Sequence, residues 1–430
     1  MKNKAIITLI ILAVFMALEN LCLYYFFKQG FLTSGKNAIL LFSSSIAFGL
    51  VLLYRFYNAD ISIDAVLPGR KKLAYVLTPL FIVGLVLLGM QHSDFLAGHT
   101  IEGAGSDIVP SIQNMVKRFL LGRSPYEYVN GQHTGYFPFH WLPFIFAEKF
   151  NTEYRMVPYI VWAIAALWLC VRSVKTQNIV LQILIPFIIL GSDYVMFCNN
   201  TTIIEATVEL MIAGYYMMLM IGLNTKNAIL QGIVFSLCLL SRYSLIIWMP
   251  LFAFTLFVSG HRKQLYISAA VATALVLLIF IIPYASKDWS LLVGFKGYDS
   301  AAVYEWEHVY HGYPLHLWSG TGFAYYFYTR FTELDIYSRI KLLQKAHLIC
   351  CCGVTVIMGV WYWFKKDRID YRLFLLGSFK IYISIFLFLI QVPYVYLTCV
   401  GNFITIAIFC EQARYQIKYR AVANAAAANS

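Results

Sequence analysis

Runs of about 20 apolar residues, each closed by a few charged or polar residues, recur along almost the whole chain. A helix of that length rises about 30 Å, the thickness of a bilayer's hydrocarbon core. Twelve such runs are read: Ala5–Phe27, Ala38–Tyr54, Leu73–Met90, Met156–Val171, Ile179–Phe197, Ile204–Leu223, Ala228–Leu240, Leu245–Ser259, Leu265–Tyr284, Ala346–Phe364, Leu373–Ile390 and Pro393–Cys410. The first is too long for a signal-peptide core and lacks a small-residue cleavage site, so it counts as a span. The hydrophobic fraction is 60% and the charged fraction 13%, against about 45–50% and about 25% in soluble domains. Because surface must be wetted, a soluble core cannot absorb this much apolar sequence. The pattern excludes a soluble enzyme, a DNA-binding module and a disordered chain. It predicts an all-α polytopic membrane protein forming one transmembrane domain over residues 1–420, with Ala421–Ser430 a disordered tail.

The net charge of +12 is an orientation signal. With the N-terminus placed in the cytoplasm, the cytoplasmic segments hold eighteen Lys and Arg against five Asp and Glu, a balance of +13. The other side balances to −2, and Lys380 inside a span adds one. This is the positive-inside distribution, and it places both termini in the cytoplasm, in a membrane expected to be the bacterial inner membrane. No basic, water-facing domain remains to bind nucleic acid. The nine cysteines sit mainly in apolar runs and show no zinc-like spacing, so they read as small buried hydrophobes.

Two long segments, about 91–155 and 285–345, fall on the non-cytoplasmic side. Loops of this length are functional or disordered, and their aromatic, Gly and Pro content favours an ordered outer layer. Phe137–Phe150 is too short to span and contains Pro138 and Pro143, so it reads as an interfacial helix. Acidic residues near a bilayer cost roughly 2.5–3.5 kcal/mol at a helix centre and are functional candidates. Here they gather outside: Asp94, Asp107, Asp193, Glu205 and Glu209. Asp107 precedes an amphipathic stretch, Ile108–Leu121, closed by Gly122-Arg123-Ser124-Pro125-Tyr126 and followed by His133 and Tyr136-Phe137-Pro138-Phe139-His140.

That order of an acid, a helix of about a dozen residues, L-x-G-x-x-P-Y and then Y-x-P entering an apolar helix resembles the GT-C superfamily of integral-membrane glycosyltransferases. Arg155 at the start of a span resembles the lipid-phosphate-proximal Arg of the aminoarabinose and mannose transferases of that class. Asn199-Asn200-Thr201-Thr202-Ile203-Ile204-Glu205 resembles their second outer loop. Leu239-Leu240-Ser241-Arg242-Tyr243 resembles the step between two spans whose cation faces the donor phosphate. Pro283-Tyr284, followed by a loop with Glu307-His308, is also similar. The resemblance covers roughly 105–345; two extra spans precede it, and the first acid is a lone Asp107 rather than an Asp-Glu pair.

The resemblance implies an inverting transferase that moves a sugar from a polyprenyl-phosphate donor to a lipid, glycan or protein hydroxyl. Asp107 is then the base, Glu205 a second catalytic acid, and Arg155 and Arg242 the phosphate clamp, with Lys117 and Arg118 in reserve. His133, Tyr136, Glu307 and His308 would line the substrate cleft. The resemblance fixes no cofactor and leaves a divalent cation open. The chemistry needs a base for the acceptor hydroxyl, cations at the leaving phosphate and exclusion of water. Plainer readings stand beside these. Asp107 can cap its helix, Glu205 can pair with Arg155 or Arg242, and Arg242 can snorkel to headgroups. Lys380 must find a partner or water. The rival functions are a lipid-linked glycan polymerase or ligase, and a lipid-linked sugar flippase or transporter.

Overall fold

The structure, a computed structural model, describes residues 2–29, 34–57, 59–63, 68–101, 103, 106–126, 136–176, 178–199, 201–293, 296–310 and 313–419. His133 and the Ala421–Ser430 tail lie outside them. In chain order the helices begin with α1 (Lys2–Gln29), α2 (Ser34–Phe56), α3 (Pro68–Ala97) and α4 (Ile108–Leu120). The short α5 (Pro138–Trp141) and α6 (Ile145–Phe150) lead to α7 (Met156–Ser173), α8 (Ile179–Asn199), α9 (Thr202–Glu205), α10 (Glu209–Leu223), α11 (Ala228–Leu239), α12 (Met249–Val258) and α13 (Arg262–Val276). A π-helical stretch, Leu277–Ala285, extends α13. Then come α14 (Ser290–Val293), α15 (Lys296–Glu307), α16 (Leu315–Ser319), α17 (Ala324–Arg330), α18 (Ile336–Lys365), α19 (Tyr371–Phe388) and α20 (Leu397–Gln412). Strand β1 (Ala59–Ile63) pairs with the chain's last strand, Tyr415–Tyr419, at the end of the bundle where α2 and α20 finish.

Among the described residues eight helices are long and apolar enough to cross a membrane, and the chain is a helical membrane protein. Its centre is formed by α10, α19 and α20. A helix that is hydrophobic all round must be buried, and nearly every residue of α10 and α20 is. Burial reaches 83% along the apolar stretch of α19 but only 17% along that of α3, which faces lipid. Small residues let the central helices approach: a Cβ on Gly214 would lie 3.0 Å from Trp162 Cα of α7, and one on Gly49 would meet Ile381 Cγ1 at 2.5 Å.

Several expected boundaries move. Helix α3 continues to Ala97, so Asp94 sits exposed on a helix rather than in a loop. Between Met90 and Gly98 there is no Gly or Pro, and His92 is drawn inward by Asp193, 3.0 Å away. In the expected sixth span the helix begins at Glu209, since Thr202–Glu205 is a separate turn. The eighth is shortened to α12 and the last begins at Leu397, while α18 starts ten residues before the expected Ala346. Phe137–Phe150 is a broken helix, two α-turns around a 3-10 turn at Leu142–Phe144, as Pro143 dictates. Helix α4 matches its amphipathic reading, burying Val109, Ile112, Met115 and Val116.

Lys380 finds its partner in Glu19 of α1 at 3.1 Å, both 1% exposed. Ser45 Oγ (2.8 Å) and Thr405 Oγ1 (2.6 Å) donate to the same carboxylate. The network ties α1, α2, α19 and α20 together in the apolar interior, where an unpartnered charge is costly. Lys380→Ala therefore strands Glu19 and lowers stability by about 3–5 kcal/mol, whereas Glu19→Gln/Lys380→Met loses far less. Thermal unfolding of the detergent-purified variants measures this; equal losses in the two would contradict it.

Candidate functional site

Among the described residues, four apolar helices are too short to cross a bilayer. They are α10 (15 residues), α11 (12), α12 (10) and α20 (16), which rise about 15–24 Å against the roughly 30 Å required. All four stop short at the same end of the bundle. Helix α10 begins at Glu209, α11 finishes just before Arg242, α12 starts after the irregular stretch to Trp248, and α20 begins just after Tyr396. Non-helical backbone at membrane depth persists only where protein buries it or where it lines a hydrated cavity. Here it is satisfied locally. Phe139 N–H donates to Leu240 O (2.8 Å), Arg242 N–H to Cys238 O (2.9 Å), and Leu397 N–H to Tyr394 O (3.1 Å).

The charge at this junction is the Arg242–Glu209 pair, in which Nη2 donates to Oε1. Glu209 is buried, while the Arg242 side chain is 27% exposed. Arg242 reaches this position because its backbone is extended, φ −148° and ψ 149°, just after α11. His140 of α5 lies close enough to sense the guanidinium charge and is itself buried. Burial first, and Arg242 second, push the imidazole down to about 3 from its ordinary 6.5, so it is neutral at neutral pH. Tyr136 stacks obliquely on it at 5.3 Å. Tyr396 senses both Glu209 and Arg242. An aromatic block holds α5 in place: Trp141 Nε1 donates to the Tyr126 hydroxyl (3.2 Å), and Phe137 meets Phe280 of the π-helical stretch at 5.3 Å.

The two expected catalytic acids are drawn to the same region by Ser106, whose Oγ donates to Ala206 O at 2.8 Å. Asp107 and Glu205 are thus neighbours in sequence of the two ends of one hydrogen bond. Asp107 is exposed, stands at the N-cap of α4 and makes no side-chain cap bond; the Ser106 hydroxyl accepts from Ile108 N–H instead (3.3 Å). Glu205 is partly buried and makes no ion pair with a described residue. Its pairing with Arg155 or Arg242 does not form, because Glu209 takes Arg242 and Glu153 takes Arg155.

Arg155 does stand at the start of α7, but it is buried, with Nε 2.8 Å from Glu153 Oε1 and Nη2 donating to Leu96 O (3.1 Å) and His99 O (2.8 Å). It anchors the end of α3. Burial opposes ionisation of Glu153, and the bonds and charge of Arg155 overcome it and hold that carboxyl below its ordinary value. Lys117 and Arg118 occupy the far end of α4, roughly 15 Å of helix from Asp107, and Arg118 Nε donates to Ser124 O (3.2 Å).

In the second long loop, Glu307 and His308 are exposed, with His308 against the Tyr304 ring at 3.9 Å. The residues turned toward the bundle are Glu305 and His316, 3.6 Å apart, with the Tyr394 hydroxyl donating to Glu305 (3.1 Å). Periodicity carried a signal for Glu305: Ala302 and Trp306 are the buried positions of α15, which turns Glu307 outward. None pointed to His316 or Tyr396. Among the described residues no three His, Cys, Asp or Glu converge as a metal site.

Compared with family models, curated proteins and solved structures, the chain matches none.

The neutral His140 makes a pH prediction. Its folded pKa lies below its unfolded value, so the unfolded chain binds more protons between about 6.5 and about 3. Stability falls as pH falls through that window, by up to about 1.4 kcal/mol per pH unit. Denaturant unfolding at pH 7.5 and 5.5 should show this loss in the wild type and a smaller one in His140→Gln. Identical losses would mean that His140 protonates freely in the folded state.

Proposed function

We propose that this chain is a multipass glycosyltransferase of GT-C type, with twelve spans, both termini cytoplasmic and its site on the opposite face. The observation that carries the reading is the shared end of the four short helices, where Arg242, Glu209 and His140 meet and where the Ser106–Ala206 bond holds Asp107 and Glu205 nearby. A polyprenyl-phosphate sugar needs a cation at membrane depth that is not sealed from substrate. Arg242 is paired with Glu209 and its side chain is 27% exposed there, and a guanidinium carries several donors suited to a phosphate. Arg155 suits this role less, since its guanidinium is buried against Glu153 and two carbonyls.

In the reaction, the acceptor oxygen attacks the anomeric carbon as the bond from that carbon to the phosphate oxygen breaks. The polyprenyl phosphate leaves with the electron pair, the configuration inverts, and the acceptor proton passes to the Asp107 carboxylate. Asp107 suits the base because its carboxylate is exposed and is not occupied in capping α4. Arg242 stabilises the charge on the departing phosphate. In this reading Glu205 orients the acceptor hydroxyl, and the neutral His140 keeps a second positive charge out of the Arg242–Glu209 pair.

Asp107→Asn removes the base while preserving size. Transfer of labelled sugar from polyprenyl phosphate should fall about 10²–10⁴-fold in a protein that remains monodisperse. Arg242→Lys should weaken donor binding while leaving folding intact. Wild-type rates in Asp107→Asn would contradict the mechanism. Transfer only from oligosaccharide-lipid donors would indicate a glycan polymerase or ligase instead.

A further inference from the structure

A cluster where the second long loop meets the α19–α20 connection plays no part in the donor chemistry. Tyr394 Oη donates to Glu305 Oε1 (3.1 Å), and His316 Nε2 stands 3.6 Å from Oε2, too far for a hydrogen bond. Among the described residues this leaves lone pairs of the carboxylate open. The His316 ring packs 4.6 Å from Tyr394, which in turn lies nearly parallel to Tyr396, 5.0 Å and 10° apart. Burial holds the imidazole below its ordinary pKa despite Glu305, so it is neutral at neutral pH and can donate and accept.

The row opens to water. The Glu305 and His316 side chains are 24% and 34% exposed, and both tyrosines are partly exposed. At its inner end Tyr396 senses the charges of Arg242 and Glu209, so the cluster adjoins the site described above. It is also firmly mounted. Trp306 Nε1 donates to Gln391 O (2.8 Å), Phe323 N–H to Phe388 O (2.7 Å), and Gln344 Nε2 to Gln391 Oε1 (2.8 Å).

Carboxylate lone pairs, a neutral imidazole and phenol hydroxyls complement vicinal hydroxyls, which both donate and accept, while ring edges and faces suit an apolar C–H surface. A pyranose offers both. A phosphate does not fit, because the cluster's charged member is an acid. We propose that Glu305, His316, Tyr394 and Tyr396 form a saccharide subsite that holds a ring of a glycan acceptor beside Arg242. Assigning that ring to the acceptor rests on the transferase reading; saccharide binding itself does not.

The test is saturation-transfer NMR on the full chain in nanodiscs, using free oligosaccharides of mannose, galactose, glucose and N-acetylglucosamine. At least one should receive saturation at its ring C–H protons from the wild type. Glu305→Gln should weaken its binding about tenfold, the effect of removing a charged hydrogen-bond acceptor. Tyr394→Phe keeps the ring stack and should also weaken binding. Glu333→Gln, an exposed carboxylate elsewhere in the loop, should not. No saturation of any saccharide, or equal binding by all variants, overturns the subsite. Saccharide binding by a chain without transferase activity supports the subsite and contradicts the transferase reading; sugar transfer with no saccharide saturation supports that reading and overturns the subsite.

Discussion

Within a bilayer no water is available to satisfy a broken backbone, so irregular chain can sit at membrane depth only where protein or a hydrated cavity surrounds it. The rest of the structure follows from this constraint. Peripheral helices such as α3 and α18 are long and lipid-facing, while the short α10, α11, α12 and α20 all belong to the packed interior or adjoin it. Their missing turns fall at one end, and the chain there is closed by local hydrogen bonds rather than by helix. The helical turns missing at that end leave room for Arg242, Glu209 and Tyr396 among the packed helices.

Buried ion pairs hold this arrangement within the bundle and at both of its ends. Glu19–Lys380 links the central helices to α1 and α2. At the opposite end from the candidate site, Glu411 receives Arg172 (2.8 Å), Arg414 (2.9 Å) and Asn224 (2.5 Å), joining the ends of α7, α10 and α20. Removing one member of such a pair costs more than the pair itself contributes, because the survivor is left charged in an apolar setting. Arg155–Glu153 belongs with these as an anchor. Arg242–Glu209 differs because its cation remains partly exposed.

Much of the fold is legible in the residues. Apolar run length fixed the helical membrane class, the period of Ile108–Leu120 gave α4, and Pro143 signalled the broken interfacial segment. Helix ends were harder. Gln91–Asp94 looked like loop because it is polar, yet one helical turn of polar residues continues α3 once His92 pairs with Asp193 across 101 residues. Pairings were the least legible. Both Glu205 and Glu209 follow the fifth span, and only the break at Ala206–Val208 decides that Glu209 faces Arg242. Likewise Glu305 and Glu307 are indistinguishable by composition, and the buried Ala302 and Trp306 separate them. Partners such as His316 and Tyr394 come from segments whose approach depends on how the whole outer loop docks on Gln391 and Phe388.

The central claim is that the junction of short helices binds a polyprenyl phosphate through Arg242. Mass spectrometry of the lipids that copurify from native membranes tests it most directly, with wild type and Arg242→Met compared at equal yield. The account predicts a polyprenyl phosphate or its glycosylated form with the wild type, strongly depleted in the variant. Bulk phospholipid alone in both preparations, or equal polyprenyl phosphate in both, would contradict it.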